Sequence, residues 1–365
     1  MDIGTTTNPV LGMLIFALGG LAGAVFYLPL KKVKNWAWES YWLTYSLFGM
    51  LLAPFALALV TSPNLFAVLK AAPRNEVLYC YLCGAAWGFG GLTWGLMIRY
   101  LGVGLGLAIG CGLCSATGTL IPPILQGEAA KLIGTPSANA ALLGVVVSLL
   151  GIVLVGMAGM SKERELPEEV KKKSVAEYNF KKGILAVLFS GIMSAGMNFG
   201  LQGGPDLERL ALTTAPATAP TWSGMPVLVV VLLGGLTVNA LWCLFLNFKN
   251  KTLGDYAKTG TPLIGNIVFA GLAGVIWCSQ FICLKTAEPE MGAAKYIGFA
   301  MLMASVILFS SLLGVFLGEW KGTGRRTRTL LALGLVLLLG SAVVGGISGK
   351  LKEDAQKAAP VAVKG

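Results

Sequence analysis

Five amides and three tryptophans stand inside long apolar stretches of this 365-residue chain, where their chemistry could hold a ligand. Asn198, Gln202, Asn239, Asn266 and Gln280 can each donate and accept hydrogen bonds, which suits a hydroxyl-rich molecule. Trp87 and Trp94 lie two helical turns apart and therefore share one helix face, and Trp277 occupies a matching place later in the chain. Aromatic faces of this kind stack against the C–H faces of sugars. The same tryptophans would equally serve as packing or as an interfacial belt. Trp36, Trp38 and Trp42, beside Lys31, Lys32 and Lys34, read as belt residues.

Charged groups are sparse in these stretches. Lys285 falls near the end of one and Lys295 near the start of the next, with Glu288 and Glu290 in the short turn between them. An ionisable group at membrane depth is a functional candidate by default, although a long lysine near a helix end can also snorkel to the interface. The carboxylates Glu39, Glu76, Glu128, Asp206, Glu208 and Glu319 sit at ends and loops, so no acid at mid-span offers a simple proton relay.

Other chemistries are excluded by composition. The chain has no histidine, which removes Ser–His–Asp and Cys–His pairs. It has no Gly-x4-Gly-Lys-Ser/Thr loop for ATP. Cys80-x-x-Cys83 and Cys111-x-x-Cys114 superficially match metal-ligand spacing, but both lie in apolar helical stretches and read as small packing residues. Neither a metal nor a cofactor is expected, and an enzyme is not.

The elements that carry these residues are long apolar segments near 9–30, 41–61, 77–98, 101–125, 138–159, 183–203, 224–247, 262–286, 292–318 and 329–348. Hydrophobic residues make up 55% of the chain and charged residues 12%. About 20 apolar residues span about 30 Å of hydrocarbon as a helix, and unpaired backbone groups are too costly there for any other open structure. With Lys31 as the first basic residue, the first stretch reads as a retained span rather than a cleaved signal. The net charge of +11 reflects basic loops rather than nucleic-acid binding. Segments placed inside by an outward N-terminus carry 18 Lys/Arg against 10 outside, which orients both termini outward. The richest loop, Lys162–Lys182, reads as a solvated cytoplasmic face.

The halves echo one another. Gly84-Ala-Ala-Trp87 precedes a span that ends at Glu128, and Gly274-Val-Ile-Trp277 precedes one that ends at Glu319. Leu150-Gly151 with Gly156 matches Leu339-Gly340 with Gly345. The expected fold is an all-α polytopic membrane protein with ten transmembrane helices in two inverted five-helix repeats. Residues 1–160 form the first repeat, 161–182 a basic cytoplasmic linker loop, 183–348 the second repeat and 349–365 a polar C-terminal tail. An odd number of spans per repeat inverts the second, the arrangement of alternating-access carriers with a site at the repeat interface. Gly102 to Gly110 would pack closely through small residues, and Pro122-Pro123 would kink or end that span.

Specific segments then resemble the L-rhamnose–proton symporter family of the drug/metabolite transporter superfamily. They are Phe26-Tyr-Leu-Pro-Leu-Lys-Lys-Val-Lys-Asn-Trp-Ala-Trp-Glu39, Gly84 to Gly90 running through Gly95 to Gly102, Gly118-Thr-Leu-Ile-Pro-Pro-Ile124, Asn179 to Gly183 with Ser194 to Met197, and Glu319-Trp320 with Gly324-Arg-Arg326. The resemblance implies ten helices, the bacterial inner membrane and proton-coupled uptake of a 6-deoxyhexose. The family pattern carries an acid around Lys295-Tyr296, where this chain has lysine. Segments 204–223 and 349–365 also depart from it.

The expected function is therefore import of L-rhamnose, or a similar small sugar, with protons. Trp87, Trp94, Asn198, Gln202, Trp277 and Gln280 would face the sugar. Lys295, Lys285, Glu288 and Glu290 would serve ion coupling. The partners are the sugar, protons and the lipid bilayer, with no nucleic acid, and the chain acts as monomer or homodimer. An exporter or exchanger on the same fold, or a sugar sensor that moves nothing, are the alternatives.

Overall fold

The computed structural model describes residues 8–101, 103–125, 127, 133–165, 180–258, 260–316, 318 and 320–358. Among these the chain is helical throughout. Its helices are α1 (Pro9–Val25), α2 (Trp38–Thr61), α3 (Leu65–Ala71), α4 (Arg74–Leu101), α5 (Val103–Leu125), α6 (Pro136–Glu165), α7 (Phe180–Gln202), α8 (Pro205–Thr213), α9 (Met225–Asn250), α10 (Leu263–Ala287), α11 (Gly298–Phe316) and α12 (Arg325–Ala358). Seven of them, counted among the described residues, are long and apolar enough to cross a bilayer. The chain is a multi-pass membrane protein.

Local sequence sets the helix ends. Asn8 caps α1: its Oδ1 accepts the Leu11 N–H at 3.1 Å, and Pro9 follows where no donor is needed. Pro54 removes a backbone donor inside α2, and the helix widens into a π-turn over Phe48–Leu52. Lys251 adopts a left-handed backbone (φ 57°) and closes α9. The Pro122-Pro123 pair falls in the last turn of α5, so it ends this helix rather than breaking its middle.

Apolar area alone cannot drive one helix onto another in lipid, so close backbone approach must contribute. Gly84 on α4 lies against the Val231 carbonyl of α9, and Gly274 on α10 lies against the Tyr45 carbonyl of α2. A Cβ at either position would strike those oxygens. The two glycines open the echoed Gly-x-x-Trp motifs, so the echo in sequence is an echo in packing.

α6 and α12 lie antiparallel along their length. Near one end Ser137 and Ser348 exchange hydroxyl-to-carbonyl bonds of 2.9 and 2.8 Å. Near the other, the Thr327 hydroxyl sits 2.6 Å from both Ser161 Oγ and Glu165 Oε1. α12 runs on as helix to Ala358, through much of the segment expected to be a separate tail.

A polar clamp joins the start of α2 to the end of α9. Glu39 Oε1 accepts from Asn250 and Thr252 at 2.9 Å each. Asp255 accepts from the Ser40 hydroxyl at 2.8 Å and the Ala37 N–H at 2.7 Å. Asn266 pairs with both backbone groups of Lys34. Trp36 packs edge-on against Tyr256 and is buried, and Trp42 donates to Asn239 at 3.0 Å. These two tryptophans were expected in an interfacial belt. They are instead built into helix contacts: Trp36 lies against Tyr256 after α9, and Trp42, inside α2, reaches Asn239 of α9. Trp38, more exposed, stacks on Trp42.

Candidate functional site

One cavity of about 900 Å³ lies between helices of both halves. α4 contributes Trp87, Gly91 and Trp94, and α10 contributes Trp277, Gln280 and Phe281. Ser194 and Met197 enter from α7, Cys111 and Cys114 from α5, and Phe299, Ser310 and Ser311 from α11. Four residues expected to meet the sugar, Trp87, Trp94, Trp277 and Gln280, therefore line one cavity.

The tryptophans are not presented as free faces. Trp87 and Trp277 stack on each other, centroids 5.2 Å apart and planes at 24°. Phe281 meets Trp277 edge-on at 5.1 Å. Gln280 donates its amide N–H to the Trp277 carbonyl at 3.0 Å. A Cβ on Gly23 would lie 2.7 Å from Gln280 Oε1, so the glycine of α1 keeps that oxygen accessible.

The cavity has two unlike ends. At one, Met197, Phe281 and Phe299 are buried and close it with apolar surface. The Phe299 ring packs over Gly118, to whose carbonyl the Asn198 amide donates. At the other end the lining is Tyr27, Lys162, Glu163 and Trp320, with Lys162 Nζ 4.7 Å from the centre of the Trp320 ring. This is the end that carries the basic loops.

Several expected residues lie elsewhere. Asn198 is wholly buried between α7 and α5 and does not line the cavity; its Oδ1 has no partner among the described residues. Gln202 ends α7 beyond the cavity. Asn198 is turned onto α5 by its bond to the Gly118 carbonyl, and Gln202 lies two turns beyond Ser194, past the closed end. Asn239 and Asn266 serve the helix contacts described above. Glu128 and Glu319 lie outside the described residues.

The charged candidates are also dispersed. Lys285, with 2% of its side chain exposed, binds Glu208 and Glu288 at 2.5 Å each and the Leu201 carbonyl at 3.2 Å. Glu290 does not join it: its Oε2 accepts the Asn8 N–H at 3.0 Å, at the start of α1. Lys295 was expected one turn into a span. It lies in the 3₁₀ turn Glu288–Ile297 that precedes α11, where Pro289 and Gly292 disfavour an α-helix, and its side chain lies outside the described residues. Lys285, Glu288 and Glu290 do not line the cavity.

Sequence reasoning missed the partner of Lys285. Glu208 sits on α8, in the segment 204–223 that had no expected structure. α8 is anchored on its other side by Glu76, whose carboxylate accepts the N–H groups of Leu207 (2.8 Å) and Asp206 (3.2 Å). Burial pushes the Glu76 carboxyl above the ordinary carboxylate range, against the pull of those two donors. The Asn64 amide donates to the Ala211 and Thr214 carbonyls at 2.8 Å each, and accepts from Thr218 at 2.7 Å. The amphipathic pattern of α8, with Pro205 at its start and Asp206 and Glu208 in its first turn, could have signalled its presence, but not a pairing 77 residues away.

Residues 6–349 match the family described as L-rhamnose-proton symport protein (RhaT). L-rhamnose-proton symporters of Cronobacter sakazakii, Escherichia coli O45:K1 and Shigella flexneri are each 32% identical to this chain over 341 residues. Each alignment covers 92% of this chain and 97% of the relative.

Proposed function

This chain belongs to the L-rhamnose-proton symport protein family, and from that premise we propose that it imports L-rhamnose together with protons across the bacterial inner membrane. It is a transporter and not an enzyme. The observation that carries the proposal is the similarity to L-rhamnose-proton symporters along nearly the whole of both chains. No observation favours the exporter or the sensor.

The architecture proposed for this task is ten crossings in two inverted five-helix repeats, as in the drug/metabolite transporter superfamily. α4, α5 and α12 are taken as crossings in addition to the seven. Helix pairing supports the repeat: α1 packs on α10 and α11 as α7 packs on α4 and α5, and α2 packs on α10 as α9 packs on α4. α6 and α12, the last helices of each half, pack on each other.

With basic loops inside, the Lys162–Trp320 end of the cavity faces the cytoplasm and the Met197–Phe281–Phe299 end is the closed outer side. This is an inward-open carrier. Trp87, Trp94, Trp277 and Gln280 hold the sugar, with Ser194 and Ser311 as further hydrogen-bonding groups. Lys285 and Glu288 belong to the ion-coupling machinery, beyond the closed end. Lys295 and Glu290, in the adjoining turn, are assigned to it only through that proximity.

Proteoliposomes holding the purified chain test the proposal. An acid-outside gradient should concentrate labelled L-rhamnose inside, and its collapse should reduce uptake to equilibration. Uptake indifferent to the gradient would remove proton coupling, and no uptake would remove the sugar.

A further inference from the structure

A 6-deoxyhexose has two unlike edges. Its hydroxyl groups need polar partners, while the C6 methyl carried on C5 can only be buried. The cavity is divided in the same way. Along α7, Ser194 comes three residues before Met197, about 4.5 Å nearer the open mouth. Along α10, Trp277 comes one turn, about 6 Å, before Phe281. Gln280 lies between them, its Oε1 kept accessible by Gly23. Ser310 and Ser311 stand three turns along α11 from Phe299, on the side of the mouth.

The closed end offers a sugar only carbon and one thioether. Met197, Phe281 and Phe299 are 1%, 4% and 2% exposed. Their side chains hold no hydrogen-bond donor, and the Met197 sulfur is a weak acceptor. The Phe299 ring is seated over Gly118, where a Cβ would lie 2.9 Å from it.

Polar groups behind this end are already committed. Lys285, one turn beyond Phe281, is buried with its side chain against Gly224, just before α9, where any Cβ would strike it. Its three ammonium donors are matched by Glu208, Glu288 and the Leu201 carbonyl. Asn198, next to Met197, is turned onto α5 and does not line the cavity. A hydroxyl pushed against the closed end would therefore be buried without a good partner.

We propose that Met197, Phe281 and Phe299 form the subsite for the C6 methyl and set the carrier's preference for a 6-deoxy sugar over its 6-hydroxy counterpart. This rests on the reading of the chain as an L-rhamnose importer. The sugar ring then lies beside Trp87 and Trp277, with its hydroxyls directed to Gln280, Ser194 and the water of the inner mouth. Replacing the methyl by hydrogen loses only its burial, a factor of about four. Replacing it by CH2OH buries an unpaired hydroxyl, a factor of about ten to a hundred.

The test is competition for exchange of labelled L-rhamnose in proteoliposomes without a gradient. The competitors are unlabelled L-rhamnose, L-lyxose, which has hydrogen in place of the methyl, and L-mannose, which has CH2OH there. Wild type should rank them in that order of falling affinity, with L-mannose at least about tenfold weaker than L-rhamnose. Met197→Gln gives the closed end a donor and an acceptor at similar length, and should narrow the L-mannose gap at least about fivefold. Met197→Leu should keep the gap within about twofold. Equal wild-type affinity for L-mannose and L-rhamnose overturns the proposal, and this ranking stands as a test even where a variant fails to fold. An unchanged gap in Met197→Gln that still exchanges L-rhamnose overturns it too. If wild type exchanges no L-rhamnose, the importer reading fails first; exchange without preference for the methyl sinks the subsite alone.

Discussion

Trp87 and Trp277 stand in contact at the centre of the molecule, rings stacked 5.2 Å apart, each three residues after a glycine that lets a neighbouring helix touch its backbone. Two equivalent positions, one from each half, thus form a single aromatic wall. An aromatic pair contributes about 0.5–1.5 kcal/mol beyond its area, and the wall also bounds the cavity proposed to hold the sugar. Trp277→Ala should therefore raise the half-saturating rhamnose concentration at least about tenfold, equivalent to about 1.4 kcal/mol, while Trp277→Phe loses less. Uptake kinetics at fixed pH gradient measure both. Unchanged kinetics in Trp277→Ala would place the sugar elsewhere.

The glycines of the two motifs make a separable prediction. Gly84→Val and Gly274→Val force side chains into the Val231 and Tyr45 carbonyls, and such overpacking costs roughly 1–3 kcal/mol. Thermal midpoints of the detergent-purified protein should fall for both. Gly112→Ala, where nothing lies within 4 Å, should leave the midpoint unchanged.

Cys111 reports the side on which the cavity opens. It lines the cavity and is only part-buried. A membrane-impermeant thiol reagent should modify it in inside-out vesicles, and rhamnose should slow the reaction. Preferential labelling in right-side-out vesicles would reverse the orientation.

Lys295 retains a role to be measured. Lys295→Ala should lower pH-driven uptake with normal folding, judged by size-exclusion profile and thermal midpoint. Wild-type uptake in this variant removes Lys295 from the mechanism.

Much of this was readable from residue order. Apolar stretches in a low-charge chain fall on helices because lipid leaves the backbone no other partner. Trp87, Trp94, Trp277 and Gln280 stood out as large aromatic or amide groups in apolar stretches, and they line one cavity. The places of Asn198 and Gln202 outside the cavity lining were not legible, because residue order fixes neither the rotation of α7 nor how far along it the cavity reaches. The inner clamp around Glu39 and the outer pair of Lys285 with Glu208 were hidden for a different reason. Both join residues far apart in sequence, and both use segments between apolar stretches whose shape depends on the assembled bundle. Lys285 itself was noticed as an odd charge at membrane depth. Its burial follows from Gly224, whose significance appears only once α9 and α10 are adjacent.

Coupled entry of sugar and proton is the central claim, and the proton can be followed directly. L-rhamnose is added to de-energised cells expressing this chain in an unbuffered medium, and external pH is recorded. The account predicts a transient alkalinisation that follows rhamnose entry and vanishes with a protonophore. Rhamnose entry with no alkalinisation would contradict it.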